Sequence, residues 1–395
     1  MTRRSPLAML TAAFLPLTGF CAEQVAPPPD NLTRAWKLPV FYTKHTAVEG
    51  LPVLGSAKVS DYALLEAAHL IRQMIGGRTE ILRAMARNRV RFVVMAPSEM
   101  TTDVPEHSDL TPKAYWDRRA RGLGATSARP AVSCGEENLL ELPGDPYATE
   151  NILIHEFAHA IHEMGLRVVD SGFDRRLQEA YRNAQSKGLW KGTYAMENPA
   201  EYWAEATQSW FNCNRVNDRE HGPIGTREEL MRYDPEVAKL LAKVFGDGPW
   251  RYSKPSTRPP GERVHLAGFD PSKAGRFQWP EPAPSNRTAA TPLLLVRAGK
   301  TPAASPRSAA RATSVEFVNK RQAPLSIAWL DFKGTPQHYA EVRPGGTHLQ
   351  STHPGHVWVV SEGGTILGQV VASDRPGRVE IGAGVDAAGV PKSAP

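Results

Sequence analysis

The chain has 395 residues, 41% of them hydrophobic and 22% charged, an ordinary soluble balance and enough length for two or three domains. The formal charge of +6 is diffuse, and no Lys/Arg cluster interleaved with aromatics marks a nucleic-acid surface. Past the N-terminus no segment nears the roughly 20 apolar residues of a membrane span, so no transmembrane anchor is expected.

Arg3 and Arg4, the apolar stretch from Leu7 to Phe20 and the small Ala22 together read as a secretory signal peptide over residues 1–22, which predicts a secreted, extracellular protein. Its removal takes two arginines from the +6 and leaves +4. Cys134 and Cys213 remain and, in an oxidising compartment, are expected to form a disulfide.

A Pro-rich leader precedes an N-terminal α/β region. Ser60 opens a helical pattern through Met74 that stops at Gly76-Gly77, Arg78 to Arg89 gives a second helix, and Val90 to Met95 a strand. Residues 98–147 read as loop-rich, with Val132 to Leu142 as a candidate edge strand for substrate. Asp145-Pro146 reads as a helix start, with the helix running to about Met164 and stopping at Gly165. Further helices are expected over about 173–187, 198–211 and from Asp234 to Phe245. Residues 251–311 are rich in Pro, Ser, Ala and Arg, a wrap and linker. Strand-like runs punctuated by Gly334, Gly345-Gly346 and Gly363-Gly364 make 312–386 a small β domain.

His155-Glu156-Phe157-Ala158-His159 lies within the helix expected from Asp145. Two histidines four apart leave one helical face and can each give a neutral nitrogen to zinc, while the Glu beside the first reaches a zinc-bound water without binding the metal. Metzincins need a histidine at position 165, which is Gly here. His162 shares the face roughly, but three ligands from one straight helix fit a tetrahedron poorly. A third ligand is then expected from Glu201-Tyr202-Trp203-Ala204-Glu205 on another helix. Spacing favours Glu201 as ligand and Glu205 as acceptor of a ligand histidine's outer N–H, though the two roles can be exchanged.

His155-Glu-Phe-Ala-His159-Ala, followed by Tyr194 seven residues before Glu201, resembles the catalytic domain of anthrax lethal factor and its relatives among the gluzincin metallopeptidases. The resemblance is specific over about 145–215 and extends to 36–250 as one domain. It implies His155, His159 and Glu201 as zinc ligands, Glu156 as general base and Tyr194 as a transition-state donor. Ala158 stands where the family has Gly, and the toxin's further domains are missing, so its substrate does not carry over.

Phe317-Val-Asn319, Trp329-Leu-Asp-Phe-Lys-Gly334, Tyr339, Arg343-Pro-Gly345 and Thr352-His-Pro-Gly-His356-Val-Trp358 resemble the β domain of the von Hippel–Lindau tumour suppressor. The resemblance implies a 4-hydroxyproline pocket formed by Trp329, Tyr339, Thr352, His356 and Trp358. Aromatic faces suit a pyrrolidine ring, and a hydroxyl with an imidazole would satisfy its OH. Thr352 replaces the family's serine, and its methyl narrows the pocket. Read on the residues alone, the same set also suits another peptide or matrix ligand, or a β-sandwich core built on the two tryptophans.

The combined expectation is an α+β zincin-like metallopeptidase domain with a C-terminal β-sandwich: a secreted zinc endopeptidase acting on protein or peptide substrates, hydroxyproline-rich matrix or cell-wall proteins among them. A secreted toxin or effector protease, and a non-catalytic adhesion protein with a vestigial zinc fold, are the competing readings.

Overall fold

The computed structural model describes residues 24–218, 220–280, 290–297, 299–307 and 313–382. The expected signal peptide lies outside the described residues. The fold is mixed α/β, with a β-rich C-terminal region. Among the described residues no helix is long and apolar enough to cross a membrane.

The N-terminal sheet has five strands: β1 (Lys44–Val48), β2 (Leu51–Gly55), β3 (Arg91–Met95), β4 (Gly122–Leu123) and β5 (Ala131–Gly135). Their order is β1-β2-β3-β5-β4, with a parallel centre and antiparallel outer pairs. Every residue of β2, β3 and β5 is buried, which requires cover on both faces. The period-2 alternation sends Val53, Phe92, Val94 and Val132 into the main core with helix Asp61–Ile75. It sends Leu54, Val93, Met95 and Ala131 to a smaller cluster with Leu38 and Tyr42.

The expected edge strand at Val132 to Leu142 is corrected on two counts. Its strand ends at Gly135 and lies between β3 and β4, and residues Glu136–Leu140 are helical. The edge belongs to β4. Asp145 also does not open a helix; its side chain accepts from the Tyr147 N–H. The cap is Asn151, whose side chain accepts from the Ile154 N–H at the start of helix Ile152–Ala160. Gly165 does not stop the chain either. A π-turn over Ile161–Leu166 carries on into Arg167–Val169, and a Cβ at Gly165 would lie 2.7 Å from Ile81, so glycine there allows close packing.

Helices Phe173–Ser186, Pro199–Trp210 and Pro235–Phe245 stand close to their expected places, joined by Arg227–Tyr233 with its Thr226 capping box. The wrap beyond them returns to the first region: Arg258 and His265 both reach Glu66 on helix Asp61–Ile75.

The β-rich region holds β6 (Thr291–Pro292), β7 (Thr313–Asn319), β8 (Leu325–Leu330), β9 (Pro336–Val342), β10 (Thr347–Thr352), β11 (Val357–Glu362), β12 (Thr365–Val371) and β13 (Gly377–Ile381). Two four-stranded sheets form, β10-β7-β13-β6 and β12-β11-β8-β9. Phe317 and Val379 of the first share one core with Ile327, Trp358 and Val360 of the second. Residues 291–292, expected in the linker, pair with β13 instead. The Ser351 hydroxyl donates to Thr111 O of the first region at 3.0 Å.

Cys134 and Cys213 are both free and buried, which corrects the expected disulfide. Cys134 is held within β5, while the Cys213 thiol donates to Gln208 O beyond helix Pro199–Trp210. Neither a cysteine count nor an oxidising compartment carries geometry, and the expected pairing rested on those two.

Candidate metal centre and catalytic cleft

Helix Ile152–Ala160 carries His155 and His159, and helix Pro199–Trp210 carries Glu201 in its first turn. Asn198 caps the second helix by accepting from the N–H groups of Ala200 and Glu201, which fixes where the Glu201 side chain leaves. The Trp203 indole donates to Ala158 O at 3.0 Å and locks the two helices together.

The two histidines face each other, Nε2 to Nε2, at 3.2 Å. Glu201 Oε2 lies 3.3 Å from His155 Nε2 and 3.2 Å from His159 Nε2. Among the described residues this buried carboxylate oxygen has no hydrogen-bond partner. One donor atom from each residue falls within 4.8 Å of the others, the single such group among the described residues. An orphaned buried oxygen beside two imidazole nitrogens is the electrostatic signature of a site for a cation, and a His-His-Glu set suits zinc with a position left open.

Glu156, next in sequence to His155, lies half-buried on the cleft wall. Burial pushes its carboxyl above the usual range, against the pull of His155 and His159. The Tyr194 ring lies 6.3 Å from that of His155, centre to centre, in a turn held by the Tyr194 N–H to Glu220 O. Burial, reinforced by Glu201, raises the Tyr194 phenol above its ordinary value, so it keeps its proton.

A cleft of about 510 Å³ is lined by His155, Glu156 and Tyr194. Strand β4 borders the helix closely: a Cβ at Gly122 would lie 3.0 Å from Glu156 Cγ, and one at Gly124 2.9 Å from His159 Cβ. The walls also include Arg119, Arg215, His221 and, from the β-rich region, Arg343. None of these four was legible from the zinc motif, because they come from three separate segments: the end of helix Lys113–Arg119, the loop between Trp210 and Arg227, and the turn after β9.

Glu205, expected to receive the outer N–H of a ligand histidine, has Oε1 3.5 Å from His155 Nδ1. The nearer acceptor is Gln208 Oε1, at 2.9 Å. Glu205 also accepts from Asn214 Nδ2 at 3.2 Å and stands 3.8 Å from His221 Nε2. His162 is turned away from the centre, bound to Asp174 at 2.7 Å.

In the β-rich region the five expected pocket residues come together. The Trp358 indole donates to Thr352 Oγ1 at 3.1 Å, and that hydroxyl lies 3.2 Å from His356 Nδ1. Trp329 packs against His356 at 5.3 Å and Tyr339 against Trp358 at 5.1 Å between ring centres. Phe332, which the sequence reading left out, closes on both Trp329 and His356. Trp358 is 2% exposed and belongs to the core, whereas Tyr339 is 49% exposed. The Trp329 indole N–H is buried and has no partner among the described residues.

A model of the VHL beta domain family matches residues 305–373. Among solved structures the chain is similar to a Pro-Pro endopeptidase from Paenibacillus alvei, at 19% identity over 50% of this chain and 98% of that one, with a TM-score of 0.31. A likeness that distant carries no argument about activity. No curated protein matches the chain.

Proposed function

We propose that the chain is a secreted zinc-dependent endopeptidase whose C-terminal region binds hydroxyproline-bearing polypeptides. The observation that carries the peptidase reading is the unpartnered Glu201 Oε2 beside the two Nε2 atoms of His155 and His159. These three side chains would hold the metal.

Zinc bound there supplies Lewis acidity towards water and the scissile carbonyl. Glu156 accepts the proton of the attacking water and passes it to the leaving amine, a transfer typically worth about 10²–10⁴-fold. The protonated Tyr194 hydroxyl donates to the oxygen on which negative charge develops. Strand β4, paired on one side only among the described residues, offers its free backbone edge to an extended substrate. Arg119 and Arg343 flank the approach.

The hydroxyproline reading rests on the VHL beta domain match together with the Thr352–His356 pair inside an aromatic wall. A hydroxyl left unmatched when buried costs about 1–3 kcal/mol, enough to separate hydroxylated from plain proline.

Proteome-derived peptides incubated with the chain, with and without a chelator, test the peptidase reading. Cleavage that the chelator stops and zinc restores is expected. Stoichiometric zinc without any cleavage would sink the endopeptidase reading and leave a binding protein.

A further inference from the structure

We infer that Gln208 is the positioning residue that sets the tautomer of His155 and so prepares this imidazole for its metal. The inference rests on the zinc reading above.

Gln208 lies two turns beyond Glu201 on the same helix and is 0% exposed. Its side-chain nitrogen donates to Glu150 Oε2 at 3.0 Å and to Asn151 O at 3.2 Å. A carbonyl oxygen cannot donate, so turning the amide over would set Oε1 against Asn151 O, acceptor against acceptor. The amide therefore has one orientation. Its oxygen faces His155 Nδ1 at 2.9 Å and can only accept. Nδ1 must then carry the proton, which leaves the Nε2 lone pair directed at His159 Nε2 and Glu201 Oε2.

The support extends one residue further. Arg215 Nε stands 2.8 Å from Glu150 Oε1, so Glu150 is held before it holds the amide. Glu205 Oε1, 3.5 Å from the same Nδ1, stands behind it as a more distant acceptor on the same helix.

The test is zinc affinity, read by competition of the full chain against a chromophoric chelator. Gln208→Leu keeps the bulk and removes the acceptor. Its zinc Kd should rise by about 10–100-fold, read on chain whose circular dichroism matches the parent, while the melting temperature of the metal-free form falls because Glu150 Oε2 and Asn151 O lose their donor. Long-range proton–nitrogen correlation on the zinc-loaded parent supplies a second reading that survives a variant too unstable to study: the His155 proton should sit on Nδ1. A Gln208→Leu chain that binds zinc as tightly as the parent, or a proton found on Nε2, overturns the role of Gln208 alone. A parent chain that binds no zinc overturns the metal-site reading and this inference together.

Discussion

Arg258 grips Glu66 through two hydrogen bonds, 2.9 and 2.8 Å, at a point where the two side chains are 1% and 0% exposed. Glu66 sits on helix Asp61–Ile75, in the layer that packs on the sheet; Arg258 belongs to the Pro-rich wrap. His265 adds a third bond to the same carboxylate at 2.7 Å. One buried carboxylate thus ties the wrap to the scaffold beneath the cleft. Breaking one side of such a pair strands a charge, so Arg258→Met should cost about 3–5 kcal/mol, and Glu66→Met in the same chain should recover much of it. Thermal unfolding of the single and double variants checks this; additive losses would show that the pair is not coupled.

Tyr194→Phe removes one hydroxyl from the cleft wall and no metal donor. The expected outcome is a fall of about 10²-fold or more in kcat, with KM and bound zinc near parental values. Steady-state kinetics on a cleaved peptide, with metal content measured on the same sample, separates this from loss of the site. An unchanged kcat would assign Tyr194 to packing.

Much of the centre was legible because its geometry is local. Two histidines four apart must share a helical face, and Glu201 follows a strong cap at Asn198-Pro199. Gln208 carries no such mark: an amide is not a metal ligand type, and its partner His155 is 53 positions away. Strand β4 has only two residues, Gly122 and Leu123, too few for a period-2 signal. Asp145-Pro146 offered a good cap and first-turn proline, yet Asn151 won, because its backbone position lets the side chain reach the Ile154 N–H. In the β-rich region the strand runs announced themselves through alternation and glycine punctuation. The double use of Trp358, both core residue and donor to Thr352, did not.

Glu136 gives the fold a pH dependence that does not involve the metal. Burial raises its carboxyl from 4.5 to about 7, against a hydrogen bond from the Ser60 N–H. The folded protein therefore favours the protonated form. That contribution is fully present below about pH 4.5 and is lost as the pH rises through about 7. Glu136→Gln keeps an oxygen for Ser60 and cannot ionise. It should match the parent near pH 4 and exceed it at pH 8 by about 3 kcal/mol. Denaturant titrations at the two pH values decide it; equal differences at both would remove Glu136 as the cause.

Thr352→Ala tests the pocket of the β-rich region. The hydroxyl accepts from Trp358 and faces His356, so its loss should cost the preference for hydroxylated over plain proline peptides, about 1–3 kcal/mol. Thr352→Ser should keep that preference. Calorimetric binding of both peptides to the full chain supplies the comparison, and a parent protein with equal affinity for the two would reject hydroxyproline recognition outright.

Gly124 follows β4 directly over helix Ile152–Ala160, where a Cβ would stand 2.9 Å from His159 Cβ. The obstructing atom is the root of the His159 side chain and cannot swing aside as a flexible chain end would. Gly124→Ala must then lift the strand or push His159. If the strand yields, zinc stays bound while substrate is held out of line, and displacement of about 1 Å can cost about 10²-fold in turnover. If His159 yields, zinc affinity falls too. Gly261→Ala, with nothing within 4 Å of the new carbon, serves as the comparison. Measuring kcat/KM and zinc Kd on both variants distinguishes the two responses, and a Gly124→Ala chain with both values unchanged would show that β4 does not press on the centre in solution.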